Sequence, residues 1–563
     1  MKKSVIICFI IIAFYNSSLA QAVSPVRQAD TVKFFEILRG NSLREVTTDS
    51  GTKLQTIAGN VLIRQGGTLF SCDSAIINSK YNTIEAFNHI DINQGDTLHA
   101  YSQYLKYFAT EKLADLKNKV SLTDKKGTLY TDELLYDLKT GIGTYDKGGK
   151  VINGTTTLTS TKGTYYSDTK DILFKYNVHL VDPKYKINAD SLLYNTQTQI
   201  ATFIGPTHII GKTFDAITTS GYYNLQTGEA LFDKRSHFKD STTNFVADHI
   251  AFDEKTGVAQ LEGNAVVKDS SKGYIVTGNQ IYLNQKNNTF LATRKPVLIL
   301  IQDKDSTYIA ADTLFSGIRK KPENNKIDTL SSAIDSSQKI TSIDTLVRNS
   351  GQDSLKNSHP ISGQKVIRLM NTPSDSIRYF IGFHHVRIFN DSLQSVSDSL
   401  YYSTEDSVFR LFQKPVVWSS GSQITGDTMY LFTRNKKPDR LYVFNNSAII
   451  NKSKSPYYNQ IAGKNLNGYF KKGELDYMRV KGSPAESIYY MQDKDSAYVG
   501  MNRASSDVIE IYFEKSELKK IKFLNDVHGV LHPIRHIPDD KMYLKNFMWL
   551  DKSRPKNKLE LFE

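Results

Sequence analysis

The feature that most constrains this chain is a short strand motif that returns along the sequence. Its fullest form is Ala-Asp-x-Leu-x-Tyr, and neighbouring copies from Asp73 to Asp312 lie about 28 to 33 residues apart. A repeat of this length is typical of proteins that stack small units, because one unit alone cannot bury its apolar face. Clear copies begin at Cys72, Thr131, Ala189, Ala247, Ala311 and Ser397, and degenerate copies occur at Ser102, Lys162, Ser220 and Asn279.

Each motif is followed by a turn, as in Asn195–Gln199 and Asp253–Gly257, and then by a run in which every second residue is small or apolar. A period of two with one apolar face predicts strands that bury one face each. Stacking such strands in register would gather the apolar residues into one interior stripe. The runs are Ile84, Ala86, Asn88, Ile90 and Ile92; Ala114, Leu116, Asn118, Val120 and Leu122; Ile172, Phe174, Tyr176, Val178 and Leu180; Ala201, Phe203, Gly205, Thr207 and Ile209; and Ala259, Leu261, Gly263, Ala265 and Val267.

The first twenty residues have the three-part form of a cleavable export signal. Lys2 and Lys3 precede an apolar run, which ends before the small-residue tripeptide Ser18-Leu19-Ala20. We therefore expect a signal peptide over residues 1–20 and an exported mature protein. Cys72 is then the single cysteine, which excludes an internal disulfide.

The strand pattern divides the rest of the chain. It predicts a first block over residues 40–317 and a second, shorter block over 378–531. Between them no aromatic residue occurs from Ser316 to Arg378, and this composition predicts a flexible linker or insertion over residues 318–377. The remaining residues, 532–563, form a basic C-terminal tail.

Charge and motifs exclude several functions. The net charge of +13 includes the two signal lysines, but the basic residues are spread along the chain, so nucleic acid is not an expected partner. Neither a Gly-x-Ser-x-Gly nucleophile elbow nor a His-Glu-x-x-His zinc helix occurs in the sequence. We accordingly predict no catalytic residue, no cofactor and no metal site.

Two polar features invite a metal hypothesis and are interpreted otherwise. Neighbouring residues of a strand point to opposite faces, so His384 and His385 are predicted to be ordinary strand histidines. The aspartate that opens each motif could form a cation-binding ladder, but a row of like charges is repelled unless each accepts a local hydrogen bond. We predict that these aspartates, like Asp303 and Asp305, serve turns.

The repeated Ala-Asp-x-Leu-x-Tyr, followed by Gly-Asn-Val as in Gly59-Asn60-Val61 and Gly263-Asn264-Ala265, resembles the LptA/OstA family of lipopolysaccharide transport proteins. The long OstA-like proteins of Bacteroidetes type are the most similar members. The resemblance covers roughly residues 40 to 317 and, more loosely, 379 to 531. It implies an all-β fold, a repeat-built β-jellyroll of stacked antiparallel strands, here in two blocks.

The resemblance also implies a location, the periplasm in association with the outer membrane, and a function. Family members carry the acyl chains of lipopolysaccharide in an apolar interior, and their open end strands suit joining to other Lpt-type jellyrolls or to the outer-membrane translocon by edge-strand addition. The alternating small and apolar residues fit such an interior. The predicted lipid-binding residues are Ile84, Ala86, Ile90, Ala114, Leu116, Val120, Ala201, Phe203, Ile209, Ala259, Leu261, Ala265 and Val267.

Two alternatives remain open at this point. In a structural or adhesive β-repeat protein, the same apolar stripe would pack against itself and bind no lipid. A carbohydrate-active β-helix enzyme would need acidic and basic side chains clustered on an outer face across neighbouring repeats, and the sequence shows no such cluster. The filling of the interior distinguishes the first alternative from a lipid carrier.

Overall fold

A computed structural model describes residues 35–562, except residues 96, 213, 241, 302–305, 321–375, 420, 435–436, 454–455, 472–473 and 515–516. The predicted signal peptide, the turn residues Asp303 and Asp305, and most of the predicted insertion lie outside this range. Elsewhere the chain is built of antiparallel strands, and no α-helix occurs in the described part. The predicted all-β class is therefore confirmed.

The strands divide between two compact units, one formed by residues up to 154 together with 164–168, and the other by 155–163 and 169–563. Strands β1 to β10 of the first unit are Glu36–Arg39, Ser42–Thr47, Lys53–Gln65, Thr68–Asn78, Thr83–Gln94, Leu98–Phe108, Leu113–Thr123, Gly127–Asp137, Ile142–Tyr145 and Gly149–Asn153. Strands β11 to β38 are Thr156–Ser160, Lys162–Tyr166, Asp171–Val181, Tyr185–Asn195, Ile200–Phe203, Thr207–Gly211, Phe214–Thr218, Ser220–Asn224, Glu229–Asp240, Thr243–Asp253, Val258–Asp269, Tyr274–Asn284, Thr289–Thr293, Val297–Leu300, Thr307–Ala310, Thr313–Lys320, Ser376–Asn390, Leu393–Ser403, Val408–Phe412, Val416–Ser419, Ser422–Thr425, Thr428–Arg434, Lys437–Lys452, Tyr458–Lys471, Glu474–Gln492, Tyr498–Glu514, Glu517–Leu524 and His528–Pro533.

Hairpin tips follow one rule of turn chemistry. The Asp or Asn that ends a strand accepts hydrogen bonds from backbone N–H groups two and three residues ahead, as Asp137 does from Lys139 at 2.8 Å and from Thr140 at 3.2 Å. The predicted turn at Asn195 is closed by the Gln199 N–H on the Asn195 carbonyl, and that at Asp253 by the Gly257 N–H. Both predicted turns are therefore confirmed.

Eight of the long strands carry a two-residue bulge in the middle, which we call the corner; they are β3, β5, β7, β13, β19, β21, β27 and β33. Both corner residues have a positive φ, as at Gly263 (75°) and Asn264 (44°), or at His384 (56°) and His385 (51°). The pairing register breaks there, so that two residues of one strand lie opposite one residue of the next. Positive φ is tolerated best by Gly and Asn, which explains the Gly-Asn of the repeat motif.

The corners divide the long strands, and the strands paired with them, into two arms, and within each unit the two sets of arms form two facing layers. In the first unit, Phe70 and Tyr107 belong to opposite layers and their ring centres are 4.7 Å apart. In the second unit, Phe238 and Phe252 meet in the same way at 5.6 Å. The core lies between the layers. The hairpin tips of the two layers meet opposite the corners, and we call this the open side.

The predicted insertion differs from the structure at its ends. Strand Thr313–Lys320 pairs with Ser376–Asn390, so residues 318–320 and 376–377 are paired strand residues rather than linker. Absence of aromatics located the insertion, but backbone pairing does not depend on aromatic side chains.

Residues of both predicted blocks also belong to the second compact unit, so the blocks do not coincide with the units.

The C-terminal segment, predicted as a basic tail, is a docked strap over residues 534–562. It contains four 3₁₀ turns at Ile534–His536, Asp539–Lys541, Asp551–Ser553 and Glu560–Phe562. Its attachment points are the buried Gln394, Gln423 and Gln460. No helix in the described part of the chain is long and apolar enough to cross a membrane.

Candidate lipid-binding interior

The predicted lipid-binding residues all face the interior of their unit. Every one of them has at most 2% of its surface exposed. The first six lie in the first unit and the remaining seven, from Ala201 onward, lie in the second. Their cross-strand partners are themselves inward and apolar, as for Leu261 opposite Ile250 and Ile281. Their role in lipid binding stays a prediction, but the stripe they form is present.

The middle residue of each alternating run does not belong to this stripe. Asn88, Asn118, Tyr176 and Gly263 occupy corners and have positive φ. Tyr176 is 52% exposed, although its neighbours Phe174 and Val178 are buried. The expectation that these middle residues face inward is therefore wrong. The corner inserts residues between the two arms, and strict alternation holds only within an arm.

Aromatic side chains fill much of the space between the layers. In the second unit Phe214, Phe238 and Phe245 stack in sequence, with ring centres 4.9 Å and 4.4 Å apart. Phe203, one of the predicted lipid-binding residues, stacks on Phe232 at 6.2 Å. The stripe is therefore shielded from water by its own side chains. Acyl chains could enter only if the layers moved apart.

Tyrosine hydroxyls link the two layers at the open side. In the first unit Tyr107 donates to Gln65 Oε1 at 2.5 Å, and Tyr136 donates to Gln94 Oε1 at 3.3 Å. Each tyrosine ends a Leu-x-Tyr stretch on one layer and each glutamine ends a strand on the other. Burial raises the pKa of Tyr107 to about 12, so its hydroxyl keeps its proton and remains a donor.

The second unit carries a related link. Tyr185 and Tyr223 both donate to the Glu254 carboxylate, the latter at 3.1 Å. Burial, together with the hydrogen bond to Glu254, raises the pKa of Tyr185 above its ordinary range. At the open side, these tyrosine hydroxyls join the hairpin tips of the two layers through single hydrogen bonds. At the corners, the two layers are joined by the continuous backbone.

The recurring aspartates lie across from corners, and their partners are not the predicted ones. Asp73 bonds to His89 Nδ1 at 2.8 Å, and Asp248 accepts from Asn264 at 2.9 Å and from Arg235 at 3.3 Å. The prediction of local turn bonds is wrong for these side chains, because their partners are corner residues of adjacent strands. The turns are served by the separate Asp and Asn residues at the hairpin tips.

His384 and His385 form one of these corners and are not ordinary strand residues. His384 Nδ1 lies 3.0 Å from Asp398, and His385 Nδ1 lies 2.8 Å from Asp312, so the two rings meet different aspartates. The hydrogen bond and the charge of Asp398 raise the pKa of His384 above its usual value. Within the described residues, no group of three metal-ligating side chains occurs.

Sequence reasoning missed one buried charged residue, Arg378. It follows the inward alternation of Phe380 and Gly382, which places a cation on the apolar face. An arginine at an inward position of an otherwise apolar run was the available signal. The period-two pattern is dominated by its apolar members, and a single exception is easily assigned to a loop end.

Both ends of the strand order present open edges. At the first end, β1 and β2 pair with the two arms of β3 on one side only, and at the other end β37 and β38 pair with β36. The apolar Leu43 and Leu531 on these end strands are 60% and 58% exposed. No further strand covers these edges in the described part of the chain.

Two family models match overlapping parts of this chain. Residues 32–190 match the family described as OstA-like protein, and residues 157–289 match the LptA/(LptD N-terminal domain) LPS transport protein family. Among solved structures, LptH of Pseudomonas aeruginosa, the LptA-homologous periplasmic component of its lipopolysaccharide transport device, is 13% identical. That match covers 18% of this chain and 79% of LptH, with a TM-score of 0.18. No curated protein matches the chain. The two family models together match residues 32–289, so the resemblance inferred from the repeats is confirmed over that range.

Proposed function

We propose that this protein is a periplasmic carrier of lipopolysaccharide that shelters lipid acyl chains between its two strand layers during outer-membrane assembly. The single observation that carries the proposal is the inward stripe, whose predicted residues all face one interior in each unit. The match of residues 32–289 to family models of OstA-like and LPS transport proteins supports the choice of ligand.

Lipid would enter from the open side. The tyrosine links there are single hydrogen bonds, each contributing about 0.5–1.5 kcal/mol net, whereas the corners are covalently continuous. Each buried methylene contributes about 0.8 kcal/mol, so a few acyl chains would offset the broken links and the displaced aromatic contacts. Loading would therefore separate the hairpin tips of the layers and leave the corners in place.

Photo-crosslinking tests this carrier role. A photoreactive residue placed at Leu261 or Phe203 in living cells should capture lipopolysaccharide, while one at Glu262 should not. Leu261 and Glu262 are adjacent on β21 and differ in the face they present. Equal capture from both positions, or capture from neither, would contradict a lipid-filled interior.

The end strands are proposed as the joints to other envelope proteins. Open edges with exposed apolar residues suit the addition of a strand from another Lpt-type jellyroll or from an outer-membrane translocon. Leu531→Pro would remove a backbone donor from an edge strand and should abolish such joining, measured by site-specific crosslinking from His532. Undiminished crosslinks would argue against edge-strand addition at this end.

A second function is favoured by one observation, the aromatic packing. Interior stacks such as Phe238 on Phe245 are those of a closed core, which a structural or adhesive β-repeat protein would need. In that case Tyr136→Phe, which removes one link at the open side, would leave lipid capture at zero. For a carrier, the same substitution should raise capture from interior positions, because the open side separates more readily.

A further inference from the structure

The interior contains a small polar island around Tyr274. Among the buried residues of the described chain, the two that carry charged groups are Asp269 and Arg378. Both lie close enough to act on the Tyr274 hydroxyl, since Arg378 lowers and Asp269 raises the pKa of that group. Burial is the larger influence and raises the Tyr274 pKa to about 12. The island interrupts an interior that is otherwise apolar.

Arg378 is held there by two hydrogen bonds from one nitrogen. Its Nη1 donates to Ser316 Oγ at 3.0 Å and to the Asn288 carbonyl at 3.2 Å. The guanidinium lies 5.8 Å from the ring centre of Tyr274. Only 8% of the residue is exposed, and its Nη2 is buried without a hydrogen-bond partner. The two N–H groups of Nη2 therefore have no acceptor among the described residues.

Asp269 does not serve as the counter-ion of Arg378. Lys272 Nζ lies 2.8 Å from its carboxylate, and Ser271 Oγ donates to it at 2.6 Å. Burial alone would raise the Asp269 pKa, but these hydrogen bonds and the lysine charge hold the pKa below its usual value. The carboxylate is thus neutralised by Lys272. The charge of Arg378 remains without a paired carboxylate in the described structure.

The island lies beside the hairpin tip between β22 and β23. Lys272 Nζ lies 3.4 Å from Asn288 Oδ1, so Asn288 contacts Lys272 through its side chain and Arg378 through its carbonyl. The Lys272 side chain is 24% exposed. The buried Arg378 and the partly exposed Lys272 therefore flank Asn288 at the open side. Polar headgroups would lie there if hydrocarbon tails filled the interior.

From this arrangement we infer that Arg378 binds a phosphate monoester, carried by an amphiphile whose hydrocarbon tails occupy the neighbouring interior. The guanidinium fork of arginine donates to phosphate oxygens, here through the two N–H groups of Nη2, and such hydrogen bonds are strengthened away from water. A buried cation without a counter-ion lowers stability unless an anion binds it. The inference rests on the proposed carrier function and names the headgroup chemistry of the ligand.

The test compares three probes on the purified full-length chain. They are a multiply acylated disaccharide lipid with phosphate monoesters, its dephosphorylated counterpart, and inorganic phosphate. Arg378→Met keeps the side-chain length without the charge, and Arg319→Met on the paired strand removes an exposed arginine as a matched control. Arg378→Met should weaken binding of the phosphorylated lipid at least tenfold and leave the dephosphorylated lipid unaffected.

Stability gives a second readout. If Arg378 serves a ligand, Arg378→Met should melt no lower than the parent, because an unpaired buried charge is lost. A lower melting temperature together with an unchanged preference for phosphorylated lipid would overturn the inference. Should Arg378→Met fail to fold, Arg378→Lys, which keeps the charge but not the fork, should show the same loss of preference.

The probes also separate this inference from the carrier function. If neither lipid binds the parent, the carrier function fails. Inorganic phosphate that raises the melting temperature of the parent, but not of Arg378→Met, would then place free phosphate at Arg378 and reject the amphiphile. If the parent binds the phosphorylated and the dephosphorylated lipid equally well, the carrier function is upheld and the role of Arg378 is rejected.

Discussion

At the scale of single residues, the same amino acid has different partners according to its position along the strand. An aspartate at a hairpin tip, such as Asp137, accepts backbone N–H groups of its own turn. An aspartate opposite a corner, such as Asp73 or Asp312, instead accepts a side chain from an adjacent strand. The corner residues need that contact, because two successive positive φ angles cost non-glycine residues conformational energy.

Cys72 provides a test of how closed the interior is. It is buried opposite Val61, and burial, followed by the nearby charge of Asp73, raises its pKa to about 11. Since the thiolate is the reactive form, we expect no reaction with a thiol reagent at pH 8 until the chain is unfolded. The double variant Cys72→Ser with Ser71→Cys moves the thiol to the outward neighbour and should react at once. Rapid labelling of native Cys72 would mean that the layers separate spontaneously.

The corner histidine His384 should report its aspartate through pH. Its pKa is raised by Asp398, so the protonated ring is favoured in the folded protein. This stabilisation is complete below the unfolded pKa of about 6.5 and is lost as pH rises through the higher folded value. Histidine-labelled NMR should place the His384 midpoint above 6.5, and Asp398→Asn should bring it down. An equal His384 titration midpoint in both proteins would show that Asp398 does not cause the raised pKa.

At the scale of elements, the strap adds a layer that the repeats do not supply. Gln423 donates to the Met548 carbonyl and accepts the Leu550 N–H, both at 2.7 Å, as a neighbouring strand would. Gln460 does the same with Met542 and Leu544, each at 2.9 Å. Leu544 packs with Ile488, Tyr490 and Met501 in a separate apolar cluster. These contacts explain why residues 534–562 are ordered without belonging to a sheet.

Removing one glutamine should loosen the strap. Gln423→Ala leaves a carbonyl and an N–H of the strap without partners, which costs about 1–3 kcal/mol when such groups are buried. We expect faster hydrogen exchange over residues 542–562, measured by mass spectrometry, with the strands unaffected. Gln197→Ala, at an exposed turn, is the control and should change nothing. Unchanged exchange in Gln423→Ala would show that apolar contacts alone hold the strap.

At the scale of the whole molecule, stability comes from many equivalent apolar positions rather than from a disulfide. Each arm contributes inward residues to the space between its layers, and the same backbone bend repeats at each corner. Under the proposed carrier function, interior contacts would be exchanged for lipid contacts at the open side while the corners keep the strands in register. Closure by aromatic packing and the proposed loading with acyl chains would then be two states of one architecture.

The contribution of the stripe can be measured at one pair of neighbours. Leu116 is fully buried, whereas Lys117 points outward and pairs with Asp115 at 3.2 Å. Leu116→Ala should lower the free energy of unfolding by about 2–5 kcal/mol, because it removes packed methyl groups and leaves a cavity. Lys117→Ala should change it by about 1 kcal/mol or less. Denaturant titration of both variants checks this, and similar losses would mean that the faces are not distinct.

The sequence by itself determined the strand period, the inward residues, the turns at Asn195 and Asp253, and the resemblance to the LptA/OstA family. These follow from local chemistry, since alternation and turn residues act over a few positions. The tertiary structure alone decided the corners, the partners of Asp73 and Asp248, the isolation of Arg378 and the docking of the strap on Gln423. Those contacts depend on which strands become neighbours and in what register, and residues far apart in the chain settle that together.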